Sequence, residues 1–221
     1  MFKTLGGIVS KVSPLSRRSI LATAVILIAG ASASTLPAKA GMDPVAFIDN
    51  LDNQLQMVAR YSSPGERRAG FRELLHEDFD VPGLGRFVLG RFSRILTPPE
   101  QQEFLGLFEI YVVATYSDRL SEYVAGGAAP KVIGSRLDTD GATVSSEFSR
   151  GSGFSQTGAI RVDWRLTTRD GKYKVADIII DGLSMAVNGR SELEGVVERN
   201  GGQPRAILAV MRQETTNASL H

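Results

Sequence analysis

The sequence has 221 residues, of which 43% are hydrophobic and 22% charged, a composition typical of a globular protein. Its formal net charge of +1 hides an asymmetry, because residues 1–40 hold five of the 25 Lys and Arg residues and none of the 24 Asp and Glu residues, which leaves residues 41–221 with a net charge of −4. That balance argues against a nucleic-acid binder, which needs a basic surface, and the lack of cysteine excludes disulfides, thiolate nucleophiles and cysteine-ligated metals.

The N-terminal segment has the layout of an export signal. A basic start is followed by the apolar run 20–30, which is shorter than the ~20 residues that span a bilayer. Two exits with small residues follow, so cleavage is predicted after Ala33 or after Ala40, with the second favoured. The adjacent pair Arg17 and Arg18 is compatible with both the general and the twin-arginine export routes. The sequence therefore predicts a signal peptide over 1–40 and a mature domain over 41–221.

The first part of the mature chain is predicted to be helical. Helices begin at Asp43-Pro44 and after Ser63, and a third, short helix carries residues 87–95 after the break at 80–85. Thr97 with Glu100 three residues later is a capping box, which opens the longest helix, to about Val124. That helix is apolar on more than one face, so it is expected to be covered on several sides by protein, by an apolar ligand or by both.

The period of the pattern changes to two after Pro130. Strands are predicted over 142–150, 158–168 and 172–180, with turns at Asp140-Gly141 and Asp170-Gly171. In the middle strand apolar and polar residues alternate, which predicts one dry and one wet sheet face. Two helices, over 190–199 and from Pro204 to about Gln213, close the chain.

These elements predict an α+β fold in which a curved antiparallel sheet packs against a helical layer. Residues 41–125 are expected to be mostly helical, 130–186 to form the sheet and 188–213 to form the C-terminal helices, all within one domain.

Several segments resemble one protein family. They are 87–92 (FVLGRF), 96–98 (LTP) leading into a helix that carries Phe108, Tyr111 and Tyr116, and 170–185 (DGKYKVADIIIDGLSM). Over about residues 43–213 their order and spacing resemble the MlaC family of periplasmic phospholipid-binding proteins, also called toluene-tolerance proteins. Tyr173 and Asp181 depart from the family pattern, which more often has Trp and Glu there.

The resemblance implies a soluble periplasmic carrier that shuttles phospholipid between an outer-membrane lipoprotein complex and an inner-membrane ABC transporter complex with its periplasmic lipid-binding subunit. It also implies an apolar lipid pocket between sheet and helices, with the phospholipid as cargo rather than as a cofactor. The predicted lining is Val88, Leu89, Phe92, Leu105, Phe108, Tyr111, Val112, Tyr116, Val144, Phe148, Ile160, Val162, Trp164, Ile178, Ile180 and Leu183, and Arg91 is a candidate head-group or partner contact. The carrier is expected to be a monomer without a metal.

Alternatives to this interpretation remain open. A carrier in a hopanoid pathway would use similar apolar residues, and a lipid-free interaction module of the cell envelope needs no pocket. An enzyme would have to use Asp177 with Tyr111 or Tyr116 for proton transfer, but nothing in the sequence would stabilise a substrate oxyanion, and His76 and His221 are too few for a histidine-rich site. Asp177 is instead expected to accept structural hydrogen bonds from the backbone or an arginine.

Overall fold

From residue 43 onward the described chain runs through helices, then an antiparallel sheet, then further helices. The structure, a computed structural model, describes residues 43–117, 120, 130–148 and 159–219, so the predicted signal peptide and its cleavage sites lie outside the described residues. The helices are α1 (Pro44–Ala59), α2 (Pro64–Asp78), α3 (Val81–Leu89), α4 (Pro98–Tyr116), α5 (Met185–Arg199) and α6 (Ala206–Ser219), with a 3₁₀ turn at Gly90–Arg94. The strands are β1 (Lys131–Asp138), β2 (Gly141–Phe148), β3 (Ile160–Arg169), β4 (Lys172–Ile180) and β5 (Leu183–Ser184).

Local capping explains where three helices begin. Asp43 accepts a hydrogen bond from the Val45 N–H and starts α1, as predicted. Ser63 and Glu66 form a capping box at α2, and Thr97 and Glu100 form the predicted one at α4. In all three helices a proline lies in the first turn, where its missing N–H costs no hydrogen bond.

The third helix begins earlier than predicted. Residues 80–85 were expected to form a break between the second and third helices, but α3 already starts at Val81. The carboxylate of Asp80 accepts a hydrogen bond from the Gly83 N–H, and Pro82 lies in the first turn, so a segment that resembles a loop is a helix start. Gly90, with a φ of 53°, then ends α3.

The fifth helix also begins earlier than predicted, at Met185 instead of residue 190. Ser184 caps it by accepting from the Val187 N–H, and the carboxylate of Asp177, on β4, accepts from the Ala186 N–H. The sequence pattern could not show this second contact, because it joins residues that are nine positions apart and lie on a strand and a helix. The last helix extends to Ser219, beyond the predicted end near Gln213.

All neighbouring strands are antiparallel, and the sheet order β1-β2-β3-β4-β5 follows the chain. Asp170 and Gly171, with φ values of 50° and 79°, form the predicted tight turn between β3 and β4. Irregularities in register interrupt β1 between Val132 and Gly134 and the β3–β4 pair beside Arg165 and Leu166, and such bulges bend strands. The predicted α+β class is confirmed.

The two faces of the sheet differ in chemistry. Trp164 pairs with Val144 on β2 and with Ile178 on β4, so these apolar residues share one face, which we call the inner face. The opposite, outer face carries Arg161 and Arg165 of β3, both exposed to solvent. The predicted dry and wet faces are therefore both present.

Apart from Ala186, the buried apolar residues that the structure describes form two clusters. The first, the sheet cluster, joins α1 and α2 to the inner face and contains Phe47, Ile48, Leu51, Leu55, Val58, Ala59, Phe71, Leu74, Leu75, Phe79, Val81, Val113, Leu120, Ala142, Val144, Phe148, Val162, Trp164, Leu166 and Val175. The second, the helical cluster, joins α3, the 3₁₀ turn and α4 to α5 and α6 and contains Val88, Leu89, Phe92, Leu96, Phe104, Leu193, Val197, Ile207, Leu208 and Met211.

Glu100 connects α4 to α6 in a way that depends on pH. Its carboxylate accepts a hydrogen bond from Arg205 Nε at 2.6 Å and one from the Thr97 N–H at 2.8 Å. The hydrogen bond from Arg205, followed by those from the backbone and side chain of Thr97, lowers the pKa of Glu100 from its usual 4.5 to about 2.

We expect the contribution of Glu100 to stability to be complete above pH 4.5 and to be lost as the pH falls toward 2, because a lowered pKa in the folded state stabilises only the ionised form. Thermal unfolding of the wild type and of Glu100→Gln over this range tests it. The difference in Tm should shrink as the pH falls, and a difference that stays constant from pH 5 to pH 2 would contradict the assignment.

Candidate functional site

The helix α4 is apolar around most of its circumference, yet little of it is fully buried. Only Phe104 and Val113 among its described apolar side chains are buried. Ile110 is 40% exposed, and six further apolar side chains are half-buried: Leu105, Leu107, Phe108, Tyr111, Val112 and Tyr116. The chain's own packing thus leaves much of the apolar surface of α4 incompletely covered.

One row of these side chains lies on the sheet side of α4. Phe108, Val112 and Tyr116 recur at four-residue spacing and pack against the sheet cluster while remaining half-buried. Ile160, Ile178 and Ile180, on the inner face of β3 and β4, are also half-buried against the same cluster. We call these six residues the apolar seam.

The arrangement of the backbones explains why the seam is loosely packed. The helices whose backbones come close to the strands are α1, α2, α3 and α5. The backbone of α4 instead packs against α2, α3 and α6. The backbone of α4 therefore lies farther from the strands than the backbones of α1, α2, α3 and α5.

The inner face contains one polar pair, and its hydrogen bonds are satisfied. Trp164 Nε1 donates to the buried hydroxyl of Ser146 at 2.9 Å, and that hydroxyl donates to the Val162 carbonyl at 3.3 Å. Ser146 thus fixes the indole without leaving a polar atom facing the seam. Ser146 was not predicted, although a serine at an inward position between Val144 and Phe148 was the available signal.

A second buried hydroxyl lies at the C-terminal end of α4. Ser117 is fully buried, and its Oγ has no hydrogen-bond partner among the residues that the structure describes. Its backbone N–H donates to the Val113 carbonyl in the ordinary helical pattern. An unsatisfied buried hydroxyl costs about 1–3 kcal/mol.

Asp177 is the buried carboxylate of the sheet, and its partners are structural. It accepts from the Ala186 N–H at 3.1 Å and from Ser184 Oγ at 2.6 Å, and Arg165 Nη2 lies 3.5 Å away. The expected hydrogen bond from the backbone is confirmed, and Arg165 contributes an ion pair rather than a hydrogen bond. Tyr111 packs against the helical cluster and Tyr116 against the sheet cluster, so the three residues considered for proton transfer lie in different surroundings.

A metal-binding group and a membrane-spanning helix are both absent from the described part of the chain. No group of three or more His, Asp or Glu side chains there could hold a metal ion. None of the helices described is long and apolar enough to cross a membrane.

Comparison with known proteins gives the family. The sequence profile of a family described as MlaC protein matches residues 48–213. The chain belongs to the MlaC family. A similar solved structure is that of the phospholipid-binding protein from Ralstonia solanacearum in complex with a phospholipid, with a TM-score of 0.62 at 18% identity over 80% of this chain and 99% of that chain. At this identity the likeness shows a shared fold. No curated protein sequence matches the chain.

The MlaC fold distributes the predicted lining residues between two surroundings. Val144, Phe148, Val162 and Trp164 are buried in the sheet cluster, and Phe108, Val112, Tyr116, Ile160, Ile178 and Ile180 pack against it. Val88, Leu89 and Phe92 are buried in the helical cluster, and Leu105, Phe108 and Tyr111 pack against that one. The lining role of all these residues stays a prediction.

Two of the predicted site residues of this MlaC-family chain lie at its surface. Leu183 is 56% exposed, although its pairing with Ile180 places it on the inner face at the edge of the sheet. Arg91 is exposed, and its Nε lies 3.7 Å from Glu194 on α5. Three half-buried residues that were not predicted, Leu84, Val132 and Tyr173, also pack against the sheet cluster.

Proposed function

We propose that this MlaC-family chain is a periplasmic phospholipid carrier. Its acyl chains would lie along the apolar seam, between α4 and the inner face of the sheet, with the head group near solvent. The observation that carries this proposal is the incomplete burial of apolar side chains on both sides of the seam. The phospholipid bound to the Ralstonia solanacearum protein of the same fold supports it.

The energetics of transfer require such a surface. Two acyl chains contain on the order of 30 methylenes, and each contributes about 0.8 kcal/mol when it leaves water. A carrier without a matching apolar lining would therefore face a cost on the order of 20 kcal/mol on removing a lipid from a bilayer. Half-buried side chains on α4 and on the sheet supply apolar surface that a bound lipid can cover.

Few polar groups adjoin the seam, which favours a carrier over an enzyme. The hydroxyl of Ser146 is already engaged by Trp164 and the Val162 carbonyl. We therefore expect binding without chemical change of the lipid.

We further propose that the carrier exchanges lipid with an outer-membrane lipoprotein complex and with an inner-membrane ABC transporter complex through its periplasmic lipid-binding subunit, and so maintains the lipid asymmetry of the outer membrane. Export through a signal peptide over 1–40 belongs to the same proposal.

A transfer assay tests the proposal directly. Vesicles of phosphatidylethanolamine and phosphatidylglycerol that contain a fluorescent diacyl lipid are incubated with delipidated protein, and the protein is separated and its lipid is measured. We expect about one lipid per protein and its delivery to acceptor vesicles. A protein that extracts no lipid under these conditions would support the lipid-free module instead.

Recognition of the head group is expected to be loose. The seam supplies apolar side chains, whereas discrimination between head groups needs several fixed polar contacts. Phosphatidylethanolamine and phosphatidylglycerol should bind with affinities that differ by less than about a hundredfold, nearly 3 kcal/mol. Competition binding measures this ratio, and a larger preference for one head group, or for a hopanoid over diacyl lipids, would contradict it.

Partner contacts are expected to be weak, because a carrier has to leave each membrane complex after it has exchanged lipid. We expect a monomer that docks with a Kd on the micromolar scale. Light scattering coupled to gel filtration measures the mass, and titration against each purified complex measures the Kd. A stoichiometric complex that survives gel filtration would contradict this expectation.

A further inference from the structure

Four arginines project from neighbouring segments of the helical layer. They are Arg86 on α3, Arg91 and Arg94 in the 3₁₀ turn, and Arg190 on α5, and we call them the arginine surface. Arg190 joins α5 to α3, because its Nε and Nη2 donate to the Phe87 carbonyl at 2.9 and 2.6 Å. Its guanidinium also lies 3.8 Å from the centre of the Phe87 ring.

Few of these arginines are paired with a carboxylate, and in this they resemble Arg60, Arg67 and Arg199 but differ from seven other described arginines. Elsewhere on the described chain arginines meet carboxylates in the pairs Arg72–Glu109, Arg136–Asp138, Arg161–Asp163, Arg165–Asp177, Arg169–Asp80, Arg205–Glu100 and Arg212–Glu103. On the arginine surface only Arg91 approaches a described carboxylate, that of Glu194, at 3.7 Å. Residues 41–221 carry a net charge of −4, so this surface is a local positive excess on an acidic chain.

Exposed apolar side chains lie in the same segments. Phe87, Ile95 and Val187 are 38%, 54% and 49% exposed. Beside Phe87 is a cleft of about 200 Å³. Its apolar residues are Leu84, Phe87, Ala176 and Ala186, and Arg165 and Arg169 also line it. Asp80 and Asp177 line it as well and pair with Arg169 and Arg165. One wall of the cleft is therefore apolar, the other carries ion pairs, and its volume is large enough for one bulky side chain.

The base of this surface is firmly packed. The opposite sides of α3 and of the 3₁₀ turn carry Val88, Leu89 and Phe92, which are buried in the helical cluster against α5 and α6. The arginines therefore project from fixed backbone, which lowers the entropy that docking would have to remove.

We infer that the arginine surface docks an acidic segment of a partner protein, with an apolar side chain of that segment inserted in the cleft beside Phe87. This inference rests on the proposed carrier function, which requires reversible docking at membrane complexes. Carboxylates match guanidinium groups in charge and in bidentate geometry. The concave cleft favours a protein over a lipid surface, because a flat bilayer cannot fill a hollow of this size while a single anchor side chain can.

Charge reversal at two positions provides the test. Arg86→Glu with Arg94→Glu removes the two exposed members of the arginine surface that have no described carboxylate partner. The matched control is Arg60→Glu with Arg199→Glu, which changes the net charge equally at exposed arginines outside the arginine surface, again without described carboxylate partners. Phe87→Ala tests the cleft, and circular dichroism confirms that every variant is folded.

Binding is measured against nanodiscs that carry the purified inner-membrane transporter complex, against nanodiscs that carry the outer-membrane lipoprotein complex, and against protein-free nanodiscs of phosphatidylethanolamine and phosphatidylglycerol. We expect the wild type to bind at least one complex, the surface variant to bind it at least tenfold more weakly, and Phe87→Ala to weaken binding severalfold. The control variant should stay within twofold of the wild type, and none should bind protein-free nanodiscs.

Three outcomes would overturn the inference. The wild type binds neither complex, the surface and control variants bind equally well, or the wild type binds protein-free nanodiscs and the surface variant does not. The last outcome would assign the surface to the membrane. The mass of the native wild type separates the two claims. If the wild type contains phospholipid and the surface variant docks as the wild type does, only the docking surface is contradicted.

Discussion

Replacing Val112 with aspartate is expected to reduce the lipid bound to the protein at least tenfold while leaving the protein folded. Val112 lies in the middle of the apolar seam and is half-buried against the sheet cluster. A carboxylate there would have to be covered by acyl chains, and burying an unpaired charge is strongly unfavourable. In the lipid-free protein the same carboxylate can remain hydrated. The measurement is lipid per protein after purification, quantified by mass spectrometry of the extracted lipid.

Three variants serve as comparisons. Ile110→Asp places the same charge on the same helix at an exposed position and should retain most of the lipid. Val112→Leu preserves an apolar lining and should be tolerated. Val162→Asp should lose lipid and also stability, since Val162 is buried in the sheet cluster. A folded Val112→Asp protein with full lipid occupancy would contradict the placement of the lipid.

Replacing Asp177 with alanine is expected to cost about 3 kcal/mol of folding free energy, because it leaves two donors, the Ala186 N–H and Ser184 Oγ, without their acceptor. Arg165 contributes little to this figure, since it is exposed and separated by 3.5 Å. Urea unfolding monitored by circular dichroism gives the free energy.

An exposed carboxylate provides the control for Asp177. Asp138 pairs with Arg136 and Thr143 at the surface, and Asp138→Ala should lower the free energy of unfolding much less than Asp177→Ala does. Asp177→Asn, which keeps one carbonyl acceptor, should fall between the two. If Asp177→Ala and Asp138→Ala lowered the free energy of unfolding equally, the hydrogen bonds at the start of α5 would not stabilise that helix.

The parts of the fold that were predicted correctly depend on neighbours in sequence. Asp43 and Thr97 cap their helices through hydrogen bonds to residues two and three positions away. The Asp170-Gly171 turn is likewise encoded by the two residues that adopt positive φ. The predicted start of α5 was wrong because the actual start depends in part on Asp177 of β4. Its carboxylate accepts a hydrogen bond from the Ala186 N–H, nine residues later in the chain.

The candidate site was predictable only in outline for a related reason. The sequence shows that α4 has apolar residues on more than one face, which predicted that protein, an apolar ligand or both would cover it. The sequence does not show that Val88 and Leu89 face α5 and α6 whereas Val112 faces the sheet, because apolar residues of similar size do not specify their partners. Assigning each to a cluster requires the tertiary packing of helices that are distant in the chain.

The central claim, that this MlaC-family chain carries phospholipid, is tested most directly by native mass spectrometry of the protein purified without detergent from the cells that produce it. The account predicts a principal species whose mass equals that of the processed chain plus one diacyl phospholipid, together with release of that lipid on denaturation. A species with the mass of the chain alone, from a protein that also takes up no lipid from vesicles, would contradict the account.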